Sequence, residues 1–265
     1  MIGRTVLIGI LLGCAWPATG QAWQSREDWG KHFAAAGVTG TMAVLDERSS
    51  RRWVFDAKRA GTRFATASTF KLPHALFALD AGVVRDEFEL IAWDGTRHPI
   101  PAWNGDQDLR SSMRNSTVWV YQDFARAIGL ERELEYLQRL GYGNADASGE
   151  LTEFWLNGTL RISAFEQIEF LRRLHRNALP FAVEHQRLVK DLAIVAAGRD
   201  WILRAKTGWG VRVEPQVGWW VGWVERPDGG VFFALNMETK GSADLPKREG
   251  IARQILREIG ALPPE

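Results

Sequence analysis

Cysteine is all but missing from this chain: Cys14 is its only copy in 265 residues. Once the N-terminal leader is removed, none remains, which excludes disulfides, thiolate metal sites and a cysteine nucleophile together. Excess charge of one sign is missing too. The 33 Lys and Arg against 32 Asp and Glu leave a net charge of +1, so no strong field argues for nucleic acid or an acidic surface partner. Histidine is sparse, at His32, His74, His98, His175 and His185, with no H-E-x-x-H or comparable ligand spacing. His175 and His185 sit in helical, charge-rich stretches and read as surface residues. "DQD" at 106–108 reads as a polar loop rather than a carboxylate pair for a metal. No metal is expected. Also lacking are internal repeats, low-complexity tracts and long linkers, so the chain reads as one domain over 23–265, long enough for a sizeable core.

The one markedly apolar run near a terminus is short. "MIGRTVLIGILLGCAWPATGQA" has a single Arg, an apolar stretch from Val6 to Leu12 and small residues at Gly20 and Ala22. That is the layout of a secretory signal over 1–22, and the run is too short to span a bilayer. Export of a cysteine-free chain fits a bacterial periplasm. A second reading takes "LLGC" at 11–14 as a lipobox that would lipidate Cys14, although Leu12 fits that pattern poorly.

Large side chains are plentiful, with 13 Trp and 13 Phe. They sit in periodic apolar runs and read as core, not as a sugar-stacking surface. Residues 24–36 read as an N-terminal helix, and "TGTMAVLDE" and "RRWVFD" as two strands joined by a polar turn. The middle is helical: "STVWVYQDFARAIG" puts Val118, Tyr121, Phe124, Ala125 and Ile128 on one face. "ERELEYLQRLG" follows, then a helix opened by a capping box from Ser163 to Glu166, then "EHQRLVKDLAIVA". Strands return in "WILRAKTG", and "VGWWVGWVE" and "GVFFALNME" are linked by the hairpin signal "RPDGG". A helix from Pro246 to Ile259 closes the chain. Strands from both ends with helices between predict an α+β fold. One antiparallel sheet is flanked by helices, an all-helical lobe is inserted at about 75–195, and the cleft lies between them.

In "ATASTFKLP" at 65–73, Ser68 and Lys71 are the reactive side chains among apolar neighbours. Pro73 tolerates only the first turn of a helix, so the helix begins near Ser68. In a tight 3₁₀-like turn, residues three apart eclipse, which puts Lys71 over Ser68. Ser68 then lies at the positive end of the helix with its own N–H free for an anion. That suits a nucleophile beside a base. A free lysine amine, with pKa near ~10.4, is mostly protonated at neutral pH. Burial among apolar neighbours such as Phe70 lowers that value, and a neutral amine can add CO₂ reversibly. A second feature is "KTG" at 206–208 on a strand, where a cation and a hydroxyl can hold an anion and Gly208 keeps the strand clear.

Together S-x-x-K and K-T-G mark the penicillin-recognising serine enzymes. With "STV" at 116–118, "YGN" at 142–144 and "FWLNGTLRIS" at 154–163, the chain resembles the class D β-lactamases, the oxacillinase type, from its N-terminal to its C-terminal helix. The resemblance implies their three-layer α/β/α fold and hydrolysis of β-lactam antibiotics, hence resistance to them. It implies that Ser68 is the nucleophile and Lys71, as an N6-carboxylysine formed from CO₂ or bicarbonate, the general base. Ser116 would relay a proton to the β-lactam nitrogen. The N–H groups of Ser68 and Trp209 would form the oxyanion hole. Lys206, Thr207, Gly208 and Arg248 would receive the substrate carboxylate. Trp155 would hydrogen-bond the carbamate, with Val118 and Leu156 walling it. For Tyr142 only a structural part is inferred, and Asn144 reads as a turn residue. The segment from Trp209 to Gly218 edges the cleft and bears on which substrate side chains fit.

Two rival readings share the motifs. A cell-wall transpeptidase or carboxypeptidase would carry S-x-N where this chain has Ser116-Thr117-Val118. A β-lactam sensor domain would hang from several transmembrane helices. The protein is expected as a monomer or homodimer.

Overall fold

The computed structural model describes residues 22–264. The leader expected at 1–22, with Cys14, lies outside the described residues apart from Ala22. Strands β1 (Gln24–Ser25), β2 (Gly40–Asp46), β3 (Arg51–Phe55), β6 (Ile194–Ala197), β7 (Ile202–Gly210), β8 (Val217–Arg226) and β9 (Gly229–Glu238) form one sheet in the order β1-β3-β2-β9-β8-β7-β6. A two-stranded piece, β4 (Phe64–Ala65) with β5 (Arg161–Ile162), stands apart from it.

The sheet was expected to be antiparallel, and it is mixed. β1 runs parallel to β3, with Gln24 opposite Trp53 and Ser25 opposite Val54. The same segment corrects the helix expected over 24–36. Only Gly30–Ala36 is α-helical (α1), after a 3₁₀ turn at Glu27–Trp29. The open edge of β3 accepts the incoming chain, and Arg26 N–H continues the ladder to Val54 O at 2.8 Å. A second correction falls at 194–197. The helix expected through "AIVA" ends at Leu192 (α8, Val183–Leu192), and Ile194 and Val195 begin β6 instead. β-Branched side chains prefer the pleated edge that β7 offers.

Along each central strand, alternate residues serve opposite layers. Met42 and Val44 of β2 join Phe233 and Leu235 of β9 and Trp220 of β8 against Phe33 of α1 and Ile251 and Ile255 of α9 (Leu245–Glu258). Ala43, Phe232, Trp219 and Trp223 face the other way, into the core shared with the remaining helices. Those are α2 (Ala57–Gly61), α3 (Lys71–Asp80), α4 (Leu109–Asn115), α5 (Val118–Ile128), α6 (Leu130–Leu140), α7 (Ala164–His175) and α8. The result is the three-layer α+β architecture, and its helical layer divides in two. α7 packs on β2, β8 and β9, whereas α3 packs on α5 and α8 to build the lobe. The capping box at α7 is present, with Glu166 Oε2 accepting from Ser163 N–H at 2.9 Å and Ser163 Oγ accepting from Glu166 N–H at 3.3 Å.

Candidate active site

The 3₁₀ turn Ala67–Phe70 runs directly into α3, so Ser68 precedes the helix by less than one turn. Lys71 Nζ lies 3.0 Å from Ser68 Oγ, within one hydrogen bond. Ala67, just before Ser68, has φ +46°, a left-handed conformation that costs a non-glycine residue about 1–2 kcal/mol. The turn is held there from outside. Ala67 N–H donates to Trp155 O at 2.9 Å and Thr66 N–H to Leu160 O at 3.2 Å. Strain of this kind persists only where its surroundings over-determine it.

Inside the turn, Thr69 Oγ1 donates to Thr66 O at 2.6 Å and accepts from Gln167 Nε2 at 2.9 Å. Gln167 Oε1 in turn lies 3.5 Å from Tyr142 Oη. This gives the Y-G-N segment its structural part: Tyr142 supports the nucleophile turn through α7. Gly143 has φ +57°, and a Cβ there would lie 2.1 Å from Arg161 O, so only glycine lets these backbones approach. Asn144 is a clamp, donating to Thr159 O at 2.9 Å and accepting from Arg161 N–H at 2.8 Å. Gly208 serves the turn as well as the cleft. A Cβ there would press on Thr69 Cγ2 at 3.1 Å and Thr66 O at 3.3 Å.

Lys71 is fully buried. Burial first, and the Lys206 charge second, hold its ammonium well below the ordinary lysine value. Its Nζ sits 4.9 Å from the centre of the Tyr121 ring. Trp155 is also fully buried, and its indole N–H has no acceptor among the described residues. Lys206 Nζ reaches Ser116 Oγ at 3.0 Å and Thr207 O at 3.2 Å. Burial, and then Arg248, bring the Lys206 ammonium down to about 7. Ser116 caps the C-terminus of α4 in a left-handed conformation with φ +55°, which turns its hydroxyl off the helix axis toward β7. Arg248, on the first turn of α9, donates through Nη1 to Gly208 O at 2.6 Å and through Nε to Leu245 O at 2.7 Å. Burial brings its guanidinium down to about 10.

Ser68, Ser116, Val118, Leu156, Thr207, Gly208, Trp209 and Arg248 all line one cleft of about 340 Å³ between lobe and sheet. Lys71 and Trp155 lie beneath it. β6 pairs only with Ile202–Arg204, so the Lys206–Gly210 stretch of β7 keeps its outer edge toward the nucleophile turn. A larger groove of about 700 Å³ between Ala34, Glu214 and Lys247 contains no nucleophile with a base.

Several participants escape sequence reasoning. Ile100 and Trp103 form the apolar wall opposite Arg248, and Trp103 Nε1 is fixed on Asn115 O at 3.0 Å. Arg212 pairs with Glu153, which also accepts from Gln122 Nε2 at 2.9 Å. That clasp ties the loop after β7 to the segment carrying Trp155. The third is His74, which sits one helical step behind Lys71. Its i+3 spacing from Lys71 was the available signal. His175 and His185, expected at the surface, are half-buried; neither Nδ1 has a hydrogen-bond partner among the described residues, and that of His175 lies 4.0 Å from Glu225 Oε2.

Fold and site are those an acyl-transfer serine enzyme with a lysine base requires. The model of the penicillin binding protein transpeptidase domain matches residues 35–257. β-Lactamase OXA-2 of Salmonella typhimurium is 59% identical over 242 residues, covering 90% of this chain and 86% of the relative. β-Lactamase OXA-48 of Klebsiella pneumoniae is 42% identical over 262 residues, covering 99% of this chain and 98% of its own length. Among solved structures, the class D β-lactamase FUS-1 (OXA-85) of Fusobacterium nucleatum subsp. polymorphum superposes with a TM-score of 0.88 at 36% identity, covering 90% of this chain and 100% of that one. The chain belongs to the class D β-lactamases.

Proposed function

We propose that this protein hydrolyses β-lactam antibiotics through an acyl-enzyme on Ser68 and thereby confers resistance to them. The observation that carries the reading is the 3.0 Å contact between Ser68 Oγ and a lysine amine whose protonated form burial disfavours. Ser68 Oγ attacks the β-lactam carbonyl and gives up its proton on the Lys71 side. The N–H groups of Ser68 and Trp209 receive the developing oxyanion. Ser116, hydrogen-bonded to Lys206, delivers a proton to the ring nitrogen as the C–N bond breaks. Lys206, Thr207 and Arg248, with Gly208 leaving room, take the substrate carboxylate. A water then attacks the ester and frees Ser68.

The residues around Lys71 fit a carbamate formed with CO₂. The amine is favoured in its neutral, nucleophilic form, and the buried Trp155 N–H lacks an acceptor. When bound, CO₂ supplies an anionic oxygen base in place of the amine. Trp155 would donate to it, and Val118 and Leu156 exclude water from above.

The proposal extends to location and assembly: export to a bacterial periplasm after loss of 1–22, as a monomer or homodimer. No helix among the described residues is long and apolar enough to cross a membrane. A chromogenic cephalosporin tests the reaction. Sustained turnover that falls in CO₂-depleted buffer and returns with bicarbonate is expected. One equivalent of product followed by silence would refute hydrolysis, and indifference to bicarbonate would refute the carbamate.

A further inference from the structure

Behind the catalytic lysine lies an ion-pairing couple that the reaction above does not use. His74 is one helical step past Lys71 on α3, and Glu133 comes from α6, in the lobe. Both side chains are wholly buried, and His74 Nε2 lies 2.7 Å from Glu133 Oε1. The imidazole stacks on Phe70 at 4.8 Å between centres and meets the edge of Trp155 at 5.4 Å and Tyr121 at 5.7 Å. Of these rings, Tyr121 has its centre 4.9 Å from Lys71 Nζ, and Trp155 carries the unpartnered indole N–H.

Among the described residues, His74 Nδ1 and Glu133 Oε2 have no hydrogen-bond partner. An imidazole hydrogen-bonded to a carboxyl group is polarised with its positive end on the ring, and burial leaves that dipole unscreened. Its imidazole end is on the helix of Lys71, and its carboxylate end is one layer further away on α6.

Such a couple is weak evidence for stability, because two apolar side chains of similar volume often serve as well or better. Its position gives it another use. A positive end on the helix of Lys71 opposes an ammonium there and favours an anion, and the imidazole packs edge-on against Trp155 at 5.4 Å. We propose that the His74–Glu133 couple is a positioning device that turns its positive end toward Lys71 and Trp155 and so favours uptake of CO₂ on Lys71. This rests on the carbamate reading above.

The test is direct observation of the carbamate by ¹³C NMR during titration with ¹³C-labelled bicarbonate, alongside thermal unfolding of the same samples. Glu133→Gln keeps the shape and a hydrogen bond to Nε2 but removes the charge. The double variant His74→Leu/Glu133→Leu removes both polar groups and serves where Glu133→Gln does not fold. Either variant should need about fivefold more bicarbonate for half-saturation, the size expected of a dipole one residue layer away at a protein-like dielectric. A purely structural couple would change the melting temperature and leave half-saturation where it was, and that result overturns the proposal. A wild-type protein with no carbamate resonance at saturating bicarbonate would instead overturn the carbamate reading, and this proposal with it.

Discussion

Lys206 should cost the fold more than it contributes at neutral pH, and Lys206→Met should show it. The ammonium is 5% exposed, and its pKa falls from 10.5 to about 7, chiefly by burial. In the unfolded chain it would titrate near its ordinary value. Between pH 7 and 10.5 the unfolded state thus binds more protons than the folded one, and stability rises with pH across that window. Below the window both states are protonated and the whole penalty is present. At pH 7 the mismatch amounts to about 4 kcal/mol. Against it stand the hydrogen bonds to Ser116 Oγ and Thr207 O, worth about 2 kcal/mol together. Methionine fills most of the same volume without a charge.

The variant should therefore be more stable at pH 7 by about 2 kcal/mol, which for a chain of this length raises the melting temperature by about 4–8 °C. The gain should shrink as pH rises, vanish near pH ~9, where the penalty has fallen to the value of the lost hydrogen bonds, and reverse above it. Urea unfolding of both proteins at pH 6, 8 and 10 measures this. β-Lactam turnover by the same variant should drop, since the carboxylate loses its cation. A variant less stable than wild type at pH 7, or a stability gap that ignores pH, would refute the reasoning.

Two further substitutions probe the supports. Gly143→Ala puts a Cβ 2.1 Å from Arg161 O at a left-handed φ, so it should destabilise by about 3 kcal/mol or more in a thermal melt and slow acylation by loosening Tyr142. Trp155→Phe keeps one aromatic ring but deletes the indole N–H and leaves a small cavity, so it should cost about 1–3 kcal/mol in a thermal melt while raising the bicarbonate needed for half-maximal activity.

The residues proposed for the site stand out in the sequence because they fall in short motifs. Ser68 and Lys71 are bound by one helical turn, and Lys206, Thr207 and Gly208 by one strand. Their mutual approach was legible only through the family resemblance, since nothing local says that residue 206 meets residue 116. Element ends failed where tertiary partners decided. Ile194–Ala197 followed a helical pattern, but the edge of β7 drew it into the sheet. Gln24–Ser25 was too short for any periodicity to reveal. Partners that act from behind were hidden for a similar reason. Glu133 looks like one more charge on an amphipathic helix, and only packing shows that its carboxylate points inward to His74. Gln167 likewise reads as a surface amide of α7, although it is buried and holds the nucleophile turn.

The distribution of charge ties these features together. Lys71, Lys206 and Arg248 are all buried, and the lysines' main electrostatic neighbours are other cations: Lys206 acts on Lys71, and Arg248 on Lys206. A core would normally answer three such groups with carboxylates. Here the wholly buried carboxylate of Glu133 is spent on His74 instead. The slot is therefore short of negative charge by construction, and each anion the chemistry brings relieves it. In the proposed mechanism the substrate carboxylate would meet Lys206 and Arg248, the oxyanion would meet backbone N–H groups, and an adduct on Lys71 would meet Trp155. A carboxylate built in to neutralise Lys206 would stabilise the fold and compete with substrate for the same cation. Stability forgone in the resting protein becomes binding of the anion at the moment of reaction.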